Sequence, residues 1–174
     1  QEFEEQIKYL AKEGYNTITP SEMMNALEYG TPLPEKPIMI TFDDGYLDNY
    51  TNAYPILKKY GFTATIFLVT GFIGNDPRFM NWEEIKEMKA NGFVFGSHTV
   101  NHKSLTELSY VELKNELLLS AEEIEQQLGH QELFFAYPTG TYTLNIAKIV
   151  ESCGYRAAFT IKYGDIDEAS NYFA

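Results

Sequence analysis

Residues 38–45 read Ile-Met-Ile-Thr-Phe-Asp-Asp-Gly, a short apolar run that ends in two adjacent carboxylates and a glycine. A run of this kind, bounded by a glycine turn, is typical of a buried strand. Carboxylates at the end of such a strand lie where α/β folds place their chemistry. The stretch therefore predicts a strand of a parallel sheet with a candidate site at its carboxyl end.

Strand and helix patterns alternate on both sides of this run. Helix starts with capping boxes are predicted at Thr19, Asn81 and Ser109. About six strands separated by helices imply parallel β-α-β units. The predicted strands cover residues 15–19, 37–42, 63–69, 93–95, 133–136 and 155–160.

Composition narrows the possible functions. The 174 residues suit one domain, and the net charge of −12 argues against a nucleic-acid partner and against an anionic membrane surface. No window reaches the length of a transmembrane helix. The single cysteine, Cys153, excludes an intrachain disulfide, and we expect it to be a buried structural thiol.

A second polar cluster, residues 98–102, reads His-Thr-Val-Asn-His and supplies two imidazoles four residues apart. Such a pair lies on one face if the segment is helical. Together with the acidic pair, it offers the ligand set of a catalytic metal with an open coordination position. Since Thr99 stands where a zinc-protease helix would carry its glutamate base, Asp43 is the candidate base.

Each cluster alone also has an ordinary explanation. The acidic pair fits a capped strand-to-helix turn, histidine pairs occur by chance, and the third cluster, residues 135–140, fits a simple turn. That third cluster, Phe-Ala-Tyr-Pro-Thr-Gly, can instead turn a backbone N–H toward a developing oxyanion. All three clusters follow predicted strands, whose carboxyl ends share one face in a parallel barrel, so a common site is favoured.

At residues 41–45, 98–102 and, more loosely, 136–140, the sequence resembles the metal-dependent polysaccharide deacetylases, carbohydrate esterases related to the nodulation-type chitooligosaccharide deacetylases. The resemblance covers about residues 37–160. It implies an α/β fold that forms a distorted, incomplete (β/α) barrel, TIM-like, with about six to seven parallel strands. Residues 2–19 look like the stretch that precedes the first motif in the rearranged biofilm exopolysaccharide deacetylase subgroup.

The resemblance also implies a role for each residue of the site. Asp43 would be the catalytic general base. One divalent metal, Zn²⁺ with Co²⁺ or Ni²⁺ as alternatives, would be held by Asp44, His98 and His102. The backbone N–H of Thr139 would help to hold the oxyanion, within a substrate loop made of Tyr137, Pro138, Thr139 and Gly140.

The implied function is that of a polysaccharide N-deacetylase, a hydrolase that removes acetyl groups from N-acetylglucosamine-containing polysaccharide. Its partner would be an acetylated glycan, and its location would be extracellular or in the cell envelope. Two alternatives stay open, an O-acetyl ester esterase of the acetylxylan type and a non-catalytic glycan-binding module that keeps the metal.

The sequence departs from the family pattern at two points. Ala136 stands where the family usually has an arginine that orients the base, and the late Leu-x-Leu-His motif that supplies the acid histidine is not present. We expect His130 to be a surface residue. We also expect residues 1–174 to be a single deacetylase domain truncated at both ends, with the acid histidine outside it, and Asp165 and Asp167 to lie in a solvated loop rather than on the cleft rim.

Overall fold

The structure is a computed structural model that describes residues 2–162 and 171–173. The described strands are β1 (Asn16–Thr17), β2 (Pro37–Ile38), β3 (Thr41–Asp44), β4 (Thr65–Leu68), β5 (Val94–Ser97), β6 (Phe134–Ala136) and β7 (Ala157–Phe159). The α-helices are α1 (Glu2–Lys12), α2 (Pro20–Tyr29), α3 (Tyr54–Lys59), α4 (Trp82–Ala90), α5 (Tyr110–Leu128) and α6 (Leu144–Ser152). A π-helical segment, Asn49–Ala53, leads directly into α3.

Five of the strands form one parallel sheet in the order β3-β4-β5-β6-β7. This sheet curls into a half-barrel, which confirms the predicted α/β fold with an incomplete, distorted (β/α) barrel. The short strands β1 and β2 pair with each other in a separate parallel ladder. The strand order follows the chain order, so each crossover connects two neighbouring parallel strands.

The predicted helix starts are confirmed at all three capping boxes. The side chains of Thr19, Asn81 and Ser109 each accept a hydrogen bond from the backbone N–H three residues later, and the glutamate at that position bonds back to the cap. Such caps satisfy backbone donors that the first helical turn leaves without partners.

Two predicted elements differ from the structure. The single strand expected over residues 37–42 is divided into β2 and β3, because the backbone changes partners between them: the Ile38 carbonyl accepts from Ile18, whereas the Ile40 carbonyl accepts from Thr65. The helix expected over residues 48–59 begins with the π-helical segment, and Pro55 lies in the first turn of α3, where a missing N–H costs least.

The core lies on both faces of the sheet. On the outer face, Ile66 and Leu68 of β4 pack with α1, α3 and α4, whereas Phe67 between them faces the interior of the half-barrel and packs with Met24 of α2. The adjacent Gly96 of β5 makes room for this ring, because a Cβ there would lie 2.7 Å from Phe67 Cδ1. Helix α2 therefore covers part of the inner face.

Several further expectations concern single residues. Cys153 is partly buried at the end of α6, and burial raises the pKa of its thiol. His130 is exposed and pairs with Glu125 at 2.6 Å, which confirms the expectation of a surface residue. Asp165 and Asp167 lie outside the described residues.

Within residues 2–162 and 171–173, no helix is both long and apolar enough to span a membrane.

Candidate metal centre

The strand register brings the first two polar clusters to the same level of the sheet. Asp44 at the end of β3 is paired with Leu68 of β4, which is paired with Ser97 of β5. His98 follows directly, and its backbone N–H donates to the Leu68 carbonyl at 2.8 Å. The expectation that these clusters share one edge of a parallel sheet is therefore confirmed.

The backbone at the end of β3 separates the two adjacent carboxylates. Phe42 packs against the outer helices, so strand alternation directs Asp43 to the inner face. Asp44 has a φ of +72°, a conformation that non-glycine residues rarely adopt, and the chain turns there. Gly45 follows at φ +82°, and a Cβ on it would lie 2.8 Å from Leu68 Cδ2, so this turn requires glycine.

The His98–His102 segment is not helical, so its imidazoles do not meet through helical spacing. Thr99 and His102 have φ values of +71° and +56°, which fold the segment into a tight loop after β5. Thr99 Oγ1 accepts a hydrogen bond from the His102 N–H at 3.0 Å. The two rings are thereby brought to a centroid separation of 4.9 Å.

Asp44 meets both imidazoles through one carboxylate oxygen. Its Oδ1 lies 3.5 Å from His98 Nε2 and 3.2 Å from His102 Nε2. This oxygen is buried, and no hydrogen-bond donor among the described residues reaches it. A buried acceptor without a donor is costly, so the oxygen needs a partner, either a hydrogen-bond donor or a cation.

The tautomer of His98 strengthens this argument. Its Nδ1 lies 2.7 Å from the Ala136 carbonyl oxygen, which can only accept, so Nδ1 carries the hydrogen. Burial is the main cause that lowers the pKa of His98, which keeps the ring neutral at ordinary pH. The Nε2 lone pair of a neutral ring then points toward the Asp44 oxygen, and a bound cation would satisfy both acceptors.

The spacing of the three donor atoms fits a metal ion. Asp44, His98 and His102 each offer one ligand atom, and these atoms lie within 4.8 Å of one another. Two ligands on a tetrahedral Zn²⁺ with bonds of about 2.0–2.2 Å are roughly 3.3–3.6 Å apart, close to the 3.5 Å and 3.2 Å that separate Asp44 Oδ1 from the two imidazole nitrogens. His102 is about one-third exposed, so solvent can reach the site.

Asp43 lies beside this group in a distinct electrostatic environment. The removal of water around its carboxyl is the main cause that raises its pKa, although the residue as a whole keeps contact with solvent. Charge interactions act on the same pKa: the interaction with His98 lowers it, the one with the neighbouring Asp44 carboxylate raises it, and the one with His102 lowers it. A carboxyl with a raised pKa is a better proton acceptor, as a general base requires.

The third cluster lies at the end of β6, where the Ala136 carbonyl contacts His98. Tyr137 and Pro138 are buried, and the Tyr137 hydroxyl donates to the Phe173 carbonyl at 2.7 Å. Thr139 is exposed with a φ of +61°, and Gly140 follows at +71°. Tyr137 and Pro138 therefore shape the loop from within, and the oxyanion role stays a prediction for Thr139.

Sequence reasoning missed one residue at this site, Glu116 of α5. It is only 7% exposed, and its carboxylate accepts three hydrogen bonds from Val100 and Asn101, within the loop that carries the histidines. A signal was available, because Glu116 lies on the apolar stripe between Leu113 and Leu117. A charged residue at such a position is buried only when it is paired.

The sequence of this chain matches the family model described as polysaccharide deacetylase over residues 30–158. The chain belongs to the polysaccharide deacetylase family. The match includes the Asp44, His98 and His102 group and the loop that follows β6, so the family membership that the motifs predicted is confirmed.

Similar proteins cover nearly the whole chain. YxkH of Bacillus subtilis is 36% identical over 173 residues, which are 99% of this chain and 62% of YxkH. The poly-β-1,6-N-acetyl-D-glucosamine N-deacetylase of Staphylococcus aureus is 30% identical over 184 residues, with coverage of 98% and 63%. The chain thus spans less than two-thirds of the length of these curated relatives.

Solved structures of deacetylases share the fold. The Streptococcus pyogenes deacetylase PplD, in complex with acetate, superimposes with a TM-score of 0.94 at 32% identity, covering 98% of this chain and 76% of that one. IcaB from Ammonifex degensii gives a TM-score of 0.82 at 32% identity, with coverage of 92% and 75%.

Proposed function

We propose that the protein containing this chain is a metal-dependent hydrolase that removes acetyl groups from N-acetylglucosamine-containing polysaccharide by cleaving the amide bond. The observation that carries the proposal is the buried Asp44 oxygen, which faces two imidazole nitrogens and has no donor among the described residues. The name of the Staphylococcus aureus relative, a poly-β-1,6-N-acetyl-D-glucosamine N-deacetylase, supports the choice of substrate class.

Asp44, His98 and His102 would hold one divalent metal, and Zn²⁺ suits two imidazoles and one carboxylate, with Co²⁺ or Ni²⁺ as alternatives. The metal, when bound, would lower the pKa of a water molecule and polarise the acetyl carbonyl. The Ala136 carbonyl holds His98 in the tautomer that leaves Nε2 free as a ligand.

Asp43 would accept the proton of the attacking water, because its carboxyl lies beside the ligand group. The N–H of Thr139 would donate to the oxyanion that forms on the acetyl group. The amide bond then breaks, acetate leaves, and the sugar nitrogen takes a proton to become an amine.

The substrate class also suggests where the protein acts. Acetylated polysaccharides of this kind lie outside the cytoplasmic membrane, so we propose an extracellular or cell-envelope location. The net charge of −12 fits a neutral, acetylated glycan better than an anionic polymer, because like charges repel.

Acetate release from defined glycans tests the proposal. The full-length protein, loaded with Zn²⁺, is incubated with a β-1,6-linked N-acetylglucosamine oligomer and, in parallel, with acetylxylan. We expect acetate and free amines from the oligomer. Acetate from acetylxylan alone would indicate an O-acetyl ester esterase, and glycan binding without acetate from either substrate would indicate a binding module.

A further inference from the structure

A single buried carboxylate connects helix α5 to the loop that carries both histidines. Glu116 Oε2 accepts the backbone N–H groups of Val100 at 2.8 Å and of Asn101 at 2.9 Å. Its Oε1 accepts the Asn101 side-chain amide at 2.7 Å. Hydrogen bonds to an ionised acceptor are stronger than neutral ones, so these three contacts fix the loop firmly to the helix.

The loop needs such support because its backbone is strained. Thr99 and His102 both lie in the left-handed region, which is energetically unfavourable for residues other than glycine. Residues in this conformation persist only where their surroundings hold them. Glu116 bonds to Val100 and Asn101, the two residues between Thr99 and His102, so its contacts lie at the centre of the strained segment.

A second contact from α5 holds the start of the same loop. Ser120, one turn after Glu116, places its Oγ 2.6 Å from the Oγ of Ser97, the residue before His98. Ser97 Oγ in turn accepts the Thr99 N–H at 3.2 Å. Helix α5 therefore holds the His98–His102 loop at two levels, through Ser120 at its start and through Glu116 at Val100 and Asn101.

We propose that Glu116 is a positioning residue, which sets the separation of the two histidine ligands and thereby the affinity of the site for its metal. The inference rests on the proposed metal centre, and it adds a residue that lies outside the three sequence clusters. Among the described residues, the three hydrogen bonds that the Glu116 carboxylate accepts all come from Val100 and Asn101, so it acts through the loop that carries His102 and not by direct ligation.

Zinc affinity of the purified protein tests this proposal without reliance on activity. We would measure the Zn²⁺ dissociation constant by competition with a chromophoric chelator, and the visible absorption spectrum of the Co²⁺-loaded protein. For Glu116→Ala, we expect affinity to fall roughly 10- to 100-fold, as for other groups that orient metal ligands, with a changed Co²⁺ spectrum. Glu116→Gln keeps an oxygen acceptor for the two N–H groups and should rescue most of the affinity.

A matched control is available on the same helix. Glu122 is exposed, and among the described residues its side chain accepts a hydrogen bond only from Gln126, four residues later. Glu122→Ala should therefore leave zinc affinity unchanged. An equal loss of affinity in Glu122→Ala and Glu116→Ala would contradict the proposal, since helix charge alone would then explain the effect.

Asn101→Ala keeps the proposal testable if Glu116→Ala does not fold. Asn101 is exposed, and its truncation removes only the contact to Oε1, so zinc affinity should fall by about 2- to 10-fold, the value of one hydrogen bond. Unchanged affinity in Asn101→Ala, or in a folded Glu116→Ala, overturns the positioning role. A wild-type protein that binds no zinc would instead contradict the metal centre itself, and with it the proposed function.

Discussion

The neighbouring aspartates Asp43 and Asp44 have different environments because the backbone of Asp44 has a positive φ. Asp43 continues the strand alternation, whereas the positive φ of Asp44 turns the chain at the end of β3. As a result, Asp44 Oδ1 meets both imidazoles. Adjacency in sequence therefore does not imply a shared role, and our proposal gives metal binding to Asp44 and proton transfer to Asp43.

Asp43→Asn tests this division of roles. We expect the deacetylation rate to fall by at least about 100-fold, because an amide cannot accept the proton of the attacking water. Zinc content should stay at the wild-type value, since Asp43 is not among the three ligands. Loss of zinc in this variant, with activity retained in Asp44→Asn, would reverse the two assignments.

Outside the candidate site, the buried Tyr155 should make the free energy of unfolding depend on pH. Tyr155 is buried, its hydroxyl donates to the Leu117 carbonyl at 2.7 Å, and burial raises its pKa to about 12. The unfolded chain loses this proton near pH 10, so the stabilisation is complete below pH 10 and is lost as the pH rises toward 12. The free energy of unfolding that is lost in this way should reach about 3 kcal/mol.

Comparison with Tyr155→Phe isolates this effect from other groups that titrate at alkaline pH. At pH 8, the variant should be less stable by about 1 kcal/mol, because the Leu117 carbonyl loses its donor. Between pH 10 and 12, the order should reverse. Urea unfolding at a series of pH values measures the difference, and a difference that stays constant over this range would contradict the prediction.

At the scale of elements, the helix starts were predictable from sequence and the strand pairings were not. Thr19, Asn81 and Ser109 each carry a local signal, because a cap and its glutamate lie within four residues. The division of residues 37–44 into β2 and β3 has no such signal. It depends on which neighbouring strand each carbonyl meets, and that is decided by tertiary structure.

The histidine loop shows the same limit at the candidate site. The spacing of His98 and His102 identified both residues and would place them on one face of a helical segment, but the segment is a loop. The loop depends on left-handed Thr99 and His102, which are held by contacts distant in sequence, among them those of Glu116. Sequence reasoning could therefore name the ligands, but it could not supply their geometry.

Helix α2 is attached to the sheet by a polar contact that precedes β7. Arg156 donates to Glu132 at 2.6 Å and to Glu28 and Asn25 of α2 at 2.9 Å each, and its side chain is only 17% exposed. Helix α2 lies before residue 30, outside the family match, so this contact joins it to the family domain.

Arg156→Ala should therefore lower the free energy of unfolding by about 1–3 kcal/mol, because two charged acceptors and one amide lose their donor. Arg78→Ala is the matched control, since among the described residues Arg78 forms an ion pair with Asp76 alone and its side chain is 75% exposed. That control should change stability by less than about 0.5 kcal/mol. Urea denaturation compares the two variants, and equal effects would show that the α2 contact has no special role.

At the scale of the whole molecule, the parallel half-barrel explains why clusters far apart in sequence meet. The loops after β3, β5 and β6 leave the same edge of one sheet, so Asp44, His98 and the Ala136 carbonyl lie together. This convergence was predictable, because alternation of strands and helices fixes the direction of every strand.

If the loops after β3 and β5 build a metal site, the purified protein should retain metal, and metal content per chain is the most direct measurement of this. The purified protein is exposed to Zn²⁺, washed exhaustively and examined by elemental analysis beside His98→Ala, with circular dichroism to verify folding. We predict about one zinc per wild-type chain and none in the variant. A folded wild-type protein without zinc, or equal zinc in both proteins, would contradict the assignment of Asp44, His98 and His102.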